Sequence, residues 1–219
     1  MLQWIALAMA APTNADIAEA IAEESGWEDV GTSKEAGIGE VRARHMNVDG
    51  VDCLEASAVT ALPVETLQEV ILDIRGNTEW SSAELAESSV LAEKTGRIDY
   101  LQVLKLPAPF AGRYWFLRGE VSAGEAGAWS FAWQRLDGVA SYPEAYAGMI
   151  KRYGEDMVEV GVNVGSWALL PSEAGTVARF RSCTNVGGSV PRWAGEKAAR
   201  IMLPNNIVDL LVEAEKRSQ

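Results

Sequence analysis

Apolar residues along the chain change their spacing several times, and each change marks an element. Residues 13 to 26, TNADIAEAIAEESG, put Ile17 and Ile21 four apart among Ala and Glu, which predicts a helix stopping at Gly26. In GIGEVRARHMN the period falls to two, with Val41, Ala43 and His45 alternating against Glu40, Arg42 and Arg44. CLEASAVTAL follows the turn VDGVD, so the two stretches predict a hairpin. Pro63 opens PVETLQEVILDIRGN, where Val64, Leu67, Val70, Ile71 and Ile74 share one helical face and Gly76-Asn77 ends it. Strand-like runs follow: SSVLAEK, RIDYLQVLKL, RYWFLRGEVS, AWSFAWQRL, MVEVGVNVGSWALLP and GTVARFRSC, with Gly or Pro at nearly every junction.

After the last of these runs, Gly187-Gly188 permits a sharp reversal and Pro191 suits a first helical turn. From Trp193 the apolar residues Ala194, Ala198, Ile201, Met202 and Val208 recur at helical spacing, while Arg192, Glu196 and Arg200 form a charged row. Pro204 predicts a bend in this helix. Strands outnumber helices and do not alternate with them, which predicts an α+β domain: an antiparallel sheet with helices on one face. Such a sheet must curl, around either a solid core or a cavity. Residues 13–219 are expected to form one domain.

The net charge of −12 argues against a nucleic-acid partner, because a phosphate-binding surface needs excess Lys and Arg, and anionic membranes would also repel it. Cys53 and Cys183 lie far apart without metal-ligand spacing, so no metal site is expected, and the expectation is two buried free thiols, with a disulfide between them as the alternative. Residues 1–12, MLQWIALAMAAP, are apolar, and Ala8-Met9-Ala10 has the small-x-small form of a signal-peptidase site. The segment reads as a signal or as a packed helix start. An exported or periplasmic location is expected, with a cytoplasmic one as the alternative.

Catalysis has little support in the sequence. His45 is the only histidine, and Glu65, Glu69 and Asp73 follow helical spacing on an exposed face. No phosphate loop or dinucleotide fingerprint occurs, and no cofactor is expected.

Several segments taken in order carry a resemblance. These are Trp27 with the strand ending near His45, LPVETLQEVILDI followed by NTEW, LPAPFAGRYWFLRGEV, GSWALLP, and TNVGGSVPRWAGEK before the terminal helix. Together they resemble the START domain family, of a bacterial type, the lipid-transfer domains of the helix-grip superfamily, over about residues 27 to 217. The chain departs from the family pattern in lacking an aspartate after Arg113 and in having Asn185-Val186 where Asp-Pro is usual.

The resemblance implies a curved antiparallel sheet around a long C-terminal helix, with an internal hydrophobic cavity. The loop at Asn185, Gly187, Gly188 and Pro191 would gate it, and Trp193, Ala198, Ile201 and Met202 would face it. Trp129, Phe131 and Trp133 share one strand face and would either line the cavity or pack a core. Arg118 would place its head inside the tunnel, with Asp99 as a candidate partner, or stand exposed at a strand end. The implied function is binding and transfer of a hydrophobic ligand, a lipid or sterol-like molecule, by a non-enzymatic monomer in transient contact with membranes. A superfamily enzyme, a cyclase, aromatase or hydrolase acting on an apolar substrate, is the alternative.

Overall fold

The computed structural model describes residues 12–35, 37–185, 187 and 192–219, and for residues 192–204 the backbone alone. Helix α1 (Asn14–Ala22) precedes the strands β1 (Glu28–Glu35), β2 (Gly39–Val48) and β3 (Val51–Thr60). Helices α2 (Val64–Leu72) and α3 (Asn77–Trp80) follow, then β4 (Leu85–Lys94), β5 (Arg97–Leu104), β6 (Arg113–Ala123) and β7 (Trp129–Leu136). Helices α4 (Gly138–Ser141) and α5 (Pro143–Tyr153) lead into β8 (Val158–Glu159), β9 (Val162–Ser172), β10 (Gly175–Asn185) and the C-terminal helix α6 (Arg192–Arg217). Apart from Pro12, the apolar segment 1–12 lies outside the described residues, as do Gly188 and Pro191.

Local chemistry explains most of these boundaries. Thr13 and Asp16 cap α1 reciprocally, satisfying backbone donors that the first turn leaves open. The β2–β3 hairpin turns at Asp49-Gly50, both with positive φ. Among the elements that the apolar spacing does not predict are β1 and α5. In β1, EDVGTSKE has no apolar alternation, and the strand pairs at the sheet edge with β2, where Asp29 takes a bidentate contact from Arg42. Helix α5 carries ordinary signals, with Pro143 at its start, Lys151 and Arg152 in its last turn and Gly154 beyond. Helix α6 runs without interruption through Pro204.

The sheet has the order β1-β2-β3-β10-β9-β7-β6-β5-β4 with antiparallel neighbours throughout, and β8 joins β6 in parallel. Its inner face, with Ala56, Ala58, Ala178 and the rings of β7, packs with Leu67, Val70 and Ile71 of α2 and with Ile207, Leu210 and Leu211 of α6 in one buried cluster. On the outer face α1 covers β3, β9 and β10 through Ile17 and Ile21, and Met149 of α5 covers β5 and β6.

The expectation of two free thiols is overturned: Cys53 and Cys183 form a disulfide. They are direct cross-strand partners on β3 and β10, buried on the outer face beneath α1. Nothing in the local pattern near either cysteine reveals that strands 130 residues apart are neighbours.

Beside the disulfide, Glu55 is 2% exposed and accepts hydrogen bonds from Arg44 and Arg181, while Arg181 also donates to the Ile21 carbonyl at 2.7 Å. Trp27 lies against both guanidinium groups. This cluster clamps α1 and the following turn to the sheet. Replacing Glu55 by Ala leaves two arginines without their buried acid, so urea unfolding should show a loss of about 3–5 kcal/mol. A loss below about 1 kcal/mol would mean that the clamp is dispensable.

Candidate functional site

The inner face is shaped by β7 and the glycines beside it. Trp133 stands directly opposite Gly119 of β6 and Gly165 of β9. A Cβ at Gly119 would fall within the Phe131 ring, and one at Gly165 would meet the Trp133 ring and the Arg181 carbonyl. The two rings therefore lie down over neighbouring strands, which only glycine permits. Phe131 reaches across β6 to Tyr100, with centroids 6.4 Å apart, and Trp133 reaches across β9 to Phe180 at 5.6 Å. Trp167 completes the row, 4.5 Å from Phe180.

Between this aromatic wall and the helices lies a cavity of about 200 Å³. Ile71 and Ile74 border it from the α2 side, and Leu117, Trp115 and Trp80 line it elsewhere. Among the described residues no charged side chain lines it. Its polar groups are largely bonded to one another. Gln102 donates to Asn77 at 2.8 Å and Ser88 at 3.1 Å and accepts from the Trp115 indole at 2.9 Å, which uses both ends of its amide. The Trp133 indole donates to Asn163 Oδ1 at 3.0 Å.

Phe131 and Trp133 line the cavity, whereas Trp129 is buried in the adjoining core and does not border it. The side chains of Trp193, Ala198, Ile201 and Met202 lie outside the described residues. Tyr100, Gln102, Asn163, Trp167 and Phe180 were not singled out in advance. The signal available was parity: Ile98, Tyr100 and Gln102 share one face of β5, and Phe180 and Ser182 one face of β10.

Arg118 does not reach the cavity, which corrects the expected tunnel position. On β6 the inner positions are Trp115 and Leu117, so Arg118 falls on the outer face. There it grips Asp99 with two hydrogen bonds of 2.8 Å. Asp99 is 1% exposed and also accepts from the Tyr142 hydroxyl at 2.6 Å and from Arg97. The pair fastens the segment at α4 and α5 to the sheet. His45 also lies away from the cavity, with Nε2 3.0 Å from Asp52.

At the end of β10, Asn185 Oδ1 accepts from the Gly187 amide at 3.1 Å, and Gly187 has φ 57°, a conformation that favours glycine. Arg113, 1% exposed, donates to the carbonyls of Ala111, Gly112 and Gly187. It thereby connects the loop before β6 with the loop after β10. Among the described residues no cluster of metal-ligating side chains occurs and no helix is long and apolar enough to cross a membrane.

No family model matches the sequence, and none of the curated proteins matches it by sequence. Solved structures do match it. A STAR-related lipid transfer protein from Xanthomonas axonopodis superposes with a TM-score of 0.69 at 16% identity, covering 87% of this chain and 99% of that one. Human StAR-related lipid transfer protein 5 gives 0.71 at 12% identity, over 94% and 98%. The fold is START-like. Within the wider helix-grip architecture, the Zhui aromatase/cyclase from a Streptomyces species gives 0.56 at 15% identity, over 77% of this chain and 96% of that one. In this START-like frame the β7 wall faces α6, and Asp99–Arg118 braces the sheet from behind.

Arg118, with the Tyr142 hydroxyl and Arg97, holds the Asp99 carboxyl well below the usual carboxylate range, against burial, which pushes it up. A depressed folded-state pKa stabilises the protein above the unfolded value of about 4, and that stabilisation fades as pH falls through the folded value. Asp99→Asn should therefore be less stable than wild type at neutral pH, with the gap narrowing below about pH 4. Urea midpoints measured across pH check this, and a gap independent of pH would remove the charge from the account.

Proposed function

We propose that the protein binds an apolar ligand, a lipid or sterol-like molecule, in the cavity beside α6 and transfers it unchanged between membranes. The observation that supports this most strongly is the wall itself: a row of aromatic rings laid flat over glycines, backed by aliphatic side chains and free of charge among the described residues. The mechanism is partition. Burying roughly 400 Å² of ligand at about 25 cal/mol/Å² contributes on the order of 10 kcal/mol, enough to compete with a bilayer without strong polar contacts.

At about 200 Å³ the cavity is smaller than the roughly 300–1,000 Å³ of most ligand pockets, so uptake requires it to widen. The gate is the loop from Asn185 through Gly187 and Gly188 to Pro191, together with the first half of α6. Arg113 is its latch, because its bond to the Gly187 carbonyl must break for the two loops to part, while those to Ala111 and Gly112 hold the side chain in its own loop. The exposed Pro107, Ala108 and Pro109 beside that latch suit brief contact with a membrane, and the net charge of −12 favours a neutral one. The protein works as a monomer, since one chain supplies the wall and the gate. Disulfides persist in oxidising compartments, so Cys53–Cys183 supports the exported or periplasmic location over the cytoplasmic one.

The aromatase/cyclase likeness favours a second reading, an enzyme acting on an apolar substrate in the same cavity. Its proton transfers would fall to Tyr100 and neutral amides, which are weak acids and bases at neutral pH.

Incubation with phosphatidylcholine vesicles doped with sterol and diacylglycerol, re-isolation and mass spectrometry of the extract separates these readings. Near-stoichiometric lipid of unchanged mass is expected. A product of altered mass favours the enzyme, and an empty protein overturns the proposal. Gly119→Ala forces Phe131 off its strand and into the cavity, so the folded variant, destabilised by about 1–3 kcal/mol, should retain clearly less lipid than wild type.

A further inference from the structure

The cavity wall is not entirely self-satisfied. Tyr100 is 4% exposed and lines the cavity, and its hydroxyl makes no hydrogen bond among the described residues. Its ring is fixed by Phe131, and burial pushes the phenol far above its ordinary pKa, so the group is a neutral O–H donor at any working pH. Asn163, 6% exposed, is orientated by the Trp133 indole: because Oδ1 accepts that N–H, the Nδ2 end is left, and it too has no acceptor among the described residues. The buried indole N–H of Trp80 in the same wall also lacks an acceptor. Of the three, the Trp80 indole is a buried donor without an acceptor, which is rare in folded proteins, whereas Tyr100 and Asn163 border the open space of the cavity, where a guest can meet their donors.

We propose that Tyr100 is a specificity-determining residue, donating its hydroxyl hydrogen bond to an acceptor oxygen, a carbonyl, ether or hydroxyl, on an otherwise apolar and uncharged ligand. The inference rests on the ligand-binding reading above. The wall supplies donors and rings but, among the described residues, no cation to compensate a carboxylate or phosphate. An anionic head would be desolvated there without a counter-charge, whereas a neutral oxygen exchanges its bond to water for one to Tyr100.

Two-ring probes suit so small a cavity and isolate the oxygen. Acetylnaphthalene, ethylnaphthalene and naphthoate share a skeleton and present a neutral acceptor, no acceptor and an anion. Equilibrium dialysis of the full chain should show acetylnaphthalene bound about 5- to 10-fold more tightly than ethylnaphthalene, the ratio that one net neutral hydrogen bond supplies, with naphthoate the weakest. Tyr100→Phe keeps the ring against Phe131 and removes the donor. It should bring the ketone-to-hydrocarbon ratio close to one by weakening the ketone alone, without lowering thermal stability, because the lost hydroxyl had no partner.

A ratio unchanged in Tyr100→Phe, an equal loss of both neutral probes, or naphthoate binding as tightly as the ketone would overturn the assignment while leaving the ligand-binding reading intact. If the wild-type protein binds none of the probes and extracts no lipid from vesicles, both fail together. A fall in the melting temperature of Tyr100→Phe without a change in the ratio would make the hydroxyl structural and likewise overturn the proposal.

Discussion

The pairing of β3 with β10 holds the two parts of the molecule together. It joins the N-terminal β1–β2–β3 unit to the sheet formed after residue 84, and its strands are separated by more than a hundred residues of chain. Closing so long a loop has a large entropic cost, so the seam must be secured by contacts on both faces. Inside, Ala56 and Ala58 leave room for Phe180 and for α6, which lies across β3. Outside, Cys53–Cys183 and the Arg44–Glu55–Arg181 cluster lock the strands and seat α1 over them. With that seam made, α6 has a surface against which to bury Ile207, Leu210, Leu211 and Ala214.

From the seam onward, side-chain parity decides what each strand contributes. Asp99 and Arg118, and likewise Glu55 and Arg181, fall at outer positions, where helices supply partners. Their immediate neighbours Tyr100, Leu117, Ala56 and Phe180 fall inside. The strand period is two, so a single-residue shift in any of these strands would bring a charge to the inner face, in β5 and β10 in place of a ring. The bidentate Asp99–Arg118 contact and the Glu55 cluster therefore act as register locks as well as braces. An out-of-register strand would strand those charges in an apolar wall.

How much of this the sequence reveals follows from how local each cause is. The α2 face, the β2–β3 turn and the β7 aromatic stripe are written in a few consecutive residues, and the structure has them. Helix α5 is equally local, bracketed by Pro143 and Gly154, although the apolar spacing alone does not predict it. The disulfide and the cavity wall depend on which strands become neighbours. Gly119 and Gly165 look like ordinary strand glycines until Trp133 is placed between them. Arg118 shows the sharpest limit: the residue, its strand and its partner Asp99 were all legible. The face was not, because facing depends on the register of a strand buried on both sides, where β5 and β6 show no simple apolar alternation.

The same segregation of charge bears on why such a cavity suits a carrier. A site that must release its ligand spends part of each cycle empty, and every unpaired polar group in its wall then destabilises the empty state. Here the wall neutralises most of its own polarity: Gln102 uses its amide on Asn77, Ser88 and Trp115, and Asn163 accepts from Trp133. Those bonds are complete without a ligand, so the empty state does not leave these groups unsatisfied. What changes is chiefly apolar contact with the rings, which is non-directional and roughly proportional to area. For the proposed carrier, such a wall would hold a ligand by its shape and surface and give it up to an apolar surface of similar extent, such as a bilayer.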